Sequence, residues 1–68
     1  MNSGELRDLW KRLRLAKETA EDVALLIGPS DREQAGRLAK IIKGIEAEMA
    51  LLGQKAEAAR KAEKGQPS

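Results

Sequence analysis

The chain has 68 residues with no cysteine and no histidine, and its 13 basic and 11 acidic side chains leave a net charge of only +2. These figures exclude a disulfide framework, argue against a zinc or haem centre, and make the basic balance weak grounds for nucleic-acid binding. They also put the chain below the ~70–80 residues at which one apolar core suffices, so association with itself or another protein is the expected staple.

Ala, Leu, Ile, Glu, Lys and Arg dominate and Trp10 is the single aromatic residue, the composition of long helices rather than sheets. No apolar run approaches the ~20 residues that span a bilayer, and the first fifteen residues are too charged for a secretory signal. A soluble, cytoplasmic protein of one small domain is expected.

Residues 1–3 read as a short leader. Asn2 and Glu5 have capping-box spacing, with Ser3 as the competing cap, and the first helix is predicted over residues 4–27. Its apolar residues recur at alternating spacings of three and four: Leu6, Leu9, Leu13, Ala16, Ala20, Val23 and Ile27. A turn follows over residues 28–30. Gly28 suits a left-handed C′ position and Pro29 stops the helix. Ser30 with Glu33 spells a second capping box.

The second helix is predicted over residues 31–64, with the stripe Ala35, Leu38, Ile42, Ile45, Met49, Leu52, Ala56 and Ala59. Gly36, Gly44 and Gly53 lie off that stripe, each costing up to ~1 kcal/mol relative to Ala and offering room for another element. Residues 65–68 read as a disordered tail.

Two heptad stripes joined by a short turn predict an all-α, antiparallel two-helix hairpin of coiled-coil type. Pairing about the turn sets Val23 level with Ala35, Ala20 with Leu38, Ala16 with Ile42, Leu13 with Ile45, Leu9 with Met49 and Leu6 with Leu52. That register puts Glu5 opposite Lys55, Arg12 opposite Glu48 and Lys17 near Glu46, all opposite in sign. Trp10 leans toward Gly53 or Glu46, and Ala56, Ala59 and Ala62 overhang without a partner. Leu15, Leu25, Leu26, Ile41, Ala47 and Leu51 fall off the seam. They imply a second buried surface, either a homodimer closing into a four-helix bundle or a docked protein.

No pattern of catalytic, cofactor-binding or metal-ligating residues is present. The acidic patch of Glu18, Glu21 and Asp22 has no partner nucleophile, so a non-enzymatic protein is expected. The leading expectation is a small protein–protein interaction module: a regulator, inhibitor or co-chaperone-like adaptor of a larger protein. Its partner-binding residues would be Trp10, Arg14, Leu15, Ile41 and Leu51. The alternative is a nucleic-acid-binding hairpin dimer using Arg7, Lys11, Arg14 and Lys17. A second alternative is a structural subunit that self-assembles through the overhanging end of helix 2.

The hairpin plan is similar to that of the Rop-type plasmid RNA regulators and of the small co-chaperones of type III secretion. The Gly28-Pro29-Ser30-Asp31 turn resembles the Pro-Ser-Asp turn of type III needle subunits. Arg32 stands where that motif continues with proline, and the C-terminal end is not apolar. These likenesses assign no family.

Overall fold

In the computed structural model, which describes residues 1–65, two helices form an antiparallel hairpin: α1 (Ser3–Ile27) and α2 (Arg32–Gly65). Gly65, expected to open the tail, closes α2, and the rest of the expected tail lies outside the described residues. The hairpin is a rod 58 Å long and 14 by 12 Å across.

α1 starts where its capping box is. The Asn2 Oδ1 accepts the Glu5 N–H at 2.9 Å, while the Glu5 carboxylate accepts the Asn2 N–H at 3.4 Å. Two of the donors that open the helix are thereby satisfied reciprocally. Of the two candidate caps Asn2 takes the role, and Ser3 becomes the first helical residue.

The turn departs from the expectation. Gly28 is right-handed, at φ −47° and ψ −46°, and no described residue has a positive φ. Its N–H still bonds the Ala24 carbonyl at 2.9 Å, and the Ile27 carbonyl accepts from both Ser30 and Asp31. The chain therefore continues helically for about one more turn before reversing. Glycine is favoured there by close approach: a Cβ on Gly28 would stand 3.0 Å from the Ala24 oxygen.

The cap of α2 is Asp31 rather than Ser30. Its Oδ1 accepts the Gln34 N–H at 3.0 Å, so the third residue of the helix is Gln34 and not Glu33. Ser30 spends its own N–H on Ile27, inside the turn. Aspartate is as good an N-cap as serine and adds negative charge at the positive end of the helix dipole.

The extra turn resets the register. Counted outward from the turn, and consistent with the Ser3–Glu63 contact at the far end, the most enclosed positions of the two helices run in step as Ile27 with Ala35, Ala24 with Leu38, Ala20 with Ile42, Lys17 with Ile45 and Leu13 with Met49. They continue as Trp10 with Leu52, Leu6 with Ala56 and Ser3 with Ala59. Every one of these residues is buried or half-buried, and Leu9 is half-buried beside Trp10. Helix 2 sits about one turn, ~5 Å, from the predicted alignment.

Three expectations change with it. Ala56 is not an overhang but, with Leu6, one of the two buried side chains among the described residues, and Ala59 is half-buried while Ala62 is exposed. On α1 the seam rotates by one position, so Lys17 and Ala24 face inward while Ala16 and Val23 are exposed. The predicted Glu5–Lys55, Arg12–Glu48 and Lys17–Glu46 pairs are not among the ion pairs of the described residues. Those run within one helix at i, i+4: Arg12–Asp8, Arg14–Glu18 and Lys61–Glu57. All three are solvent-exposed, so each stabilises by only a few tenths of a kcal/mol. The α2 stripe holds in full.

One contact closes the open end of the hairpin. The Glu63 carboxylate accepts the Ser3 backbone N–H at 3.0 Å and the Ser3 hydroxyl at 2.7 Å. Ser3 is the first residue of α1, so α2 supplies an anion to a donor that helix geometry leaves unpartnered.

Candidate interaction surface

The closed register brings the two helix ends together around Trp10. At the open end a groove of about 550 Å³ is lined by Arg7, Trp10 and Lys11 of α1 and by Gly53, Ala56, Glu57, Arg60, Lys61 and Lys64 of α2. Its floor is apolar: the half-buried indole, the buried Ala56 methyl and the gap where Gly53 has no side chain. Its rim carries the cations Arg7, Lys11, Arg60, Lys61 and Lys64 against a single carboxylate, Glu57, which lies 4.0 Å from Lys61.

Local sequence explains the arrangement. Arg7, Trp10 and Lys11 are spaced three and four apart and share one flank of α1. Gly53, Glu57, Arg60 and Lys64 have the same spacing on α2. The one-turn register shift carries this second set beside the first. Trp10 and Gly53 line the same groove, but a Cβ built on Gly53 would meet no atom within 4 Å, so the space left by the glycine stays open rather than being filled by the indole. Arg14 lies one turn farther along α1, and its guanidinium stands over the Trp10 ring, 6.0 Å from the centroid.

Beyond Arg14 a shallower depression is lined by Lys11, Arg14, Leu15 and Glu18. Arg14 therefore links Trp10, whose ring it covers, with Leu15, beside which it lines the second depression. Ile41 and Leu51 stand elsewhere on α2, lining neither depression. At ~100° per residue, Ile41 lies across the seam from the groove and Leu51 points away from α1. The five residues expected to meet a partner thus divide into a group of three and two isolated positions.

The basic set divides as well. Arg7 and Lys11 reach the groove, Arg14 caps the indole, and Lys17 turns into the seam, half-buried level with Ile45. A lysine can occupy such a position by laying its aliphatic stem on the core and holding its ammonium in water. The cations that complete the groove, Arg60, Lys61 and Lys64, lie in a stretch that reads from sequence as a solvated helix end. Only the pairing of the chain ends gives them a common site.

Large apolar side chains remain exposed: Leu15 at 63%, Leu25 at 77%, Leu26 at 82%, Ile41 at 54% and Leu51 at 49%. These are the off-seam residues marked by the heptad pattern. Glu18, Glu21 and Asp22 are exposed as well, and among the described residues no polar or charged side chain is buried. No group of three potential metal ligands occurs among them, and no described helix is long and apolar enough to cross a membrane. No family model matches the chain, and neither the curated proteins nor the solved structures give a match.

Proposed function

We propose that the chain is a non-enzymatic protein–protein interaction module, a regulator, inhibitor or adaptor that takes an acidic, apolar-anchored segment of a larger protein into the groove at Trp10. The observation that carries this reading is the pairing of an apolar floor (Trp10, Ala56, the Gly53 gap) with a rim of five cations and one carboxylate. An aliphatic or aromatic anchor fills the gap beside the indole, and neighbouring carboxylates meet the rim. Tryptophan and arginine are the residue types that dominate binding energy at such contacts.

Because Trp10 is the only tryptophan, its emission reports on the groove directly. Peptides alternating Glu with Leu are expected to shift and saturate that emission, whereas Lys-for-Glu versions are not. Arg60→Ala with Lys64→Ala should weaken binding about tenfold or more, as loss of interfacial charge pairs does. A flat titration with every acidic peptide tried would remove the proposal.

The same five cations support a second reading, a nucleic-acid surface formed by Arg7 and Lys11 with Arg60, Lys61 and Lys64. Two features weigh against it: Glu57 stands inside the rim, and Arg14 already occupies the space over the indole that a stacked base would need. Tight binding of single-stranded RNA or DNA with a steep salt dependence, from release of several counterions, would favour it over the acidic peptide.

A further inference from the structure

An exposed flank of α1, starting at the lip of the groove, carries a pattern of its own. Arg7, Lys11, Leu15, Glu18, Asp22 and Leu25 follow one another at steps of four, four, three, four and three. All six are exposed and fall on one stripe of the helix. The stripe is basic toward the N-terminus, apolar at Leu15 and acidic toward the C-terminus. α1 has no cation after Lys17, and no basic residue lies in its last turn.

Such a stripe complements itself when reversed. We infer that a second copy of this chain docks along it, α1 against α1, antiparallel about a two-fold axis passing between Arg14 and Leu15. That axis sets Arg7 level with Asp22 of the second copy and Lys11 level with Glu18 of the second copy, each pair occurring twice. The two Leu15 side chains meet beside the axis. Leu25 comes level with Gly4 of the second copy, where no side chain obstructs it. A two-fold contact of this kind is isologous and closes at two chains. Arg14, which would otherwise approach its own copy near the axis, is matched by Glu18 of its own helix at 3.3 Å.

The molecule has surface enough for such a contact. Its accessible surface is 5433 Å². A compact monomer of 7.4 kDa exposes only about 4,200 Å². The excess is larger than the ~800 Å² per partner that a stable interface covers. Leu25 and Leu26, the most exposed of the leucines, lie on or beside the stripe. This inference does not depend on what enters the Trp10 groove. Arg7 and Lys11 form the lip shared by both surfaces, and Arg60, Lys61 and Lys64 stay free for an outside partner.

Charge exchange tests it. One variant carries Arg7→Glu and Lys11→Glu, making its stripe wholly acidic; the other carries Glu18→Lys and Asp22→Lys, making it wholly basic. Sedimentation equilibrium at low salt, with helicity followed alongside, should give a dimer for the natural chain and a monomer for each variant. An equimolar mixture of the two should regain the dimer as a one-to-one pair, because every level then joins opposite charges. Recovery on mixing also shows that a variant poorly helical alone remains competent to fold. The inference is overturned if the natural chain stays monomeric at millimolar concentration or grows past two chains. It is equally overturned if the variants dimerise like the natural chain, or if the mixture does not reassociate.

Discussion

Glu63 shows how one side chain ties the ends of this molecule together. Its carboxyl is held below the ordinary glutamate range, first by the Ser3 backbone N–H and then by the Ser3 hydroxyl. A folded-state value below the unfolded one makes the contact's contribution fully present above the ordinary glutamate range, ~4.3. That contribution is lost as pH falls through the lowered value. Ser3→Ala keeps the backbone donor and removes the hydroxyl, so the Glu63 titration should move part of the way back up. A carbon-detected NMR titration of the side-chain carboxyls reads this directly. Glu63→Gln should speed hydrogen exchange in the first turn of α1 at neutral pH, while leaving exchange near the Gly28 turn unchanged. Nothing in the one-dimensional pattern marks Glu63: its spacing is that of any solvated helix residue, and its partner lies 60 positions away. Asn2 is the contrary case, because its partner is three residues along and the capping box can be read directly.

At the scale of the helices, the apolar rhythm was legible and the glycines within it were not. Gly36, Gly44 and Gly53 suggested a close neighbour, yet a Cβ built at any of them meets nothing within 4 Å in the hairpin. Helix propensity then acts unopposed. Gly36→Ala and Gly44→Ala should each stabilise α2 by about 0.5–1 kcal/mol, seen as a higher midpoint in thermal unfolding followed by circular dichroism. Gly53→Ala belongs to a different case because it narrows the Trp10 groove. Any stability it adds should come with weaker peptide binding. The turn between the helices was half legible: Gly28-Pro29 marks where α1 stops, but the right-handed Gly28 runs against the usual bias of a residue before proline, and only the backbone bonds of the turn select it. The choice decides whether the reversal adds one helical turn, and the register of the whole hairpin follows from it.

At the scale of the whole molecule, the core among the described residues is a single seam with two buried side chains, Leu6 and Ala56, both near the open end. The radius of gyration is 16.1 Å against about 11 Å for a compact chain of this length. So thin a core makes stability sensitive to single truncations. Leu6→Ala should cost about 2–3 kcal/mol, near the lower bound for a buried leucine because the site opens to solvent at the hairpin's end. Urea unfolding should show that loss as a lower midpoint, and the Ser3–Glu63 contact should open with it. Leu26→Ala, at 82% exposure, should leave the isolated hairpin's midpoint nearly unchanged and act on association instead.

The sequence by itself determined two helices, the point of reversal, the buried stripe of α2 and the leucines left outside the seam. Each depends on residues within about one helical turn of one another, where periodicity and capping act. The tertiary structure alone decided the register, the inward turn of Lys17, the burial of Ala56 and the gathering of Arg60, Lys61 and Lys64 around Trp10. These depend on how far helically the chain runs past Ile27 before it reverses. That distance is set by backbone hydrogen bonds in four residues and passed along some 40 Å of rigid helix to the far end.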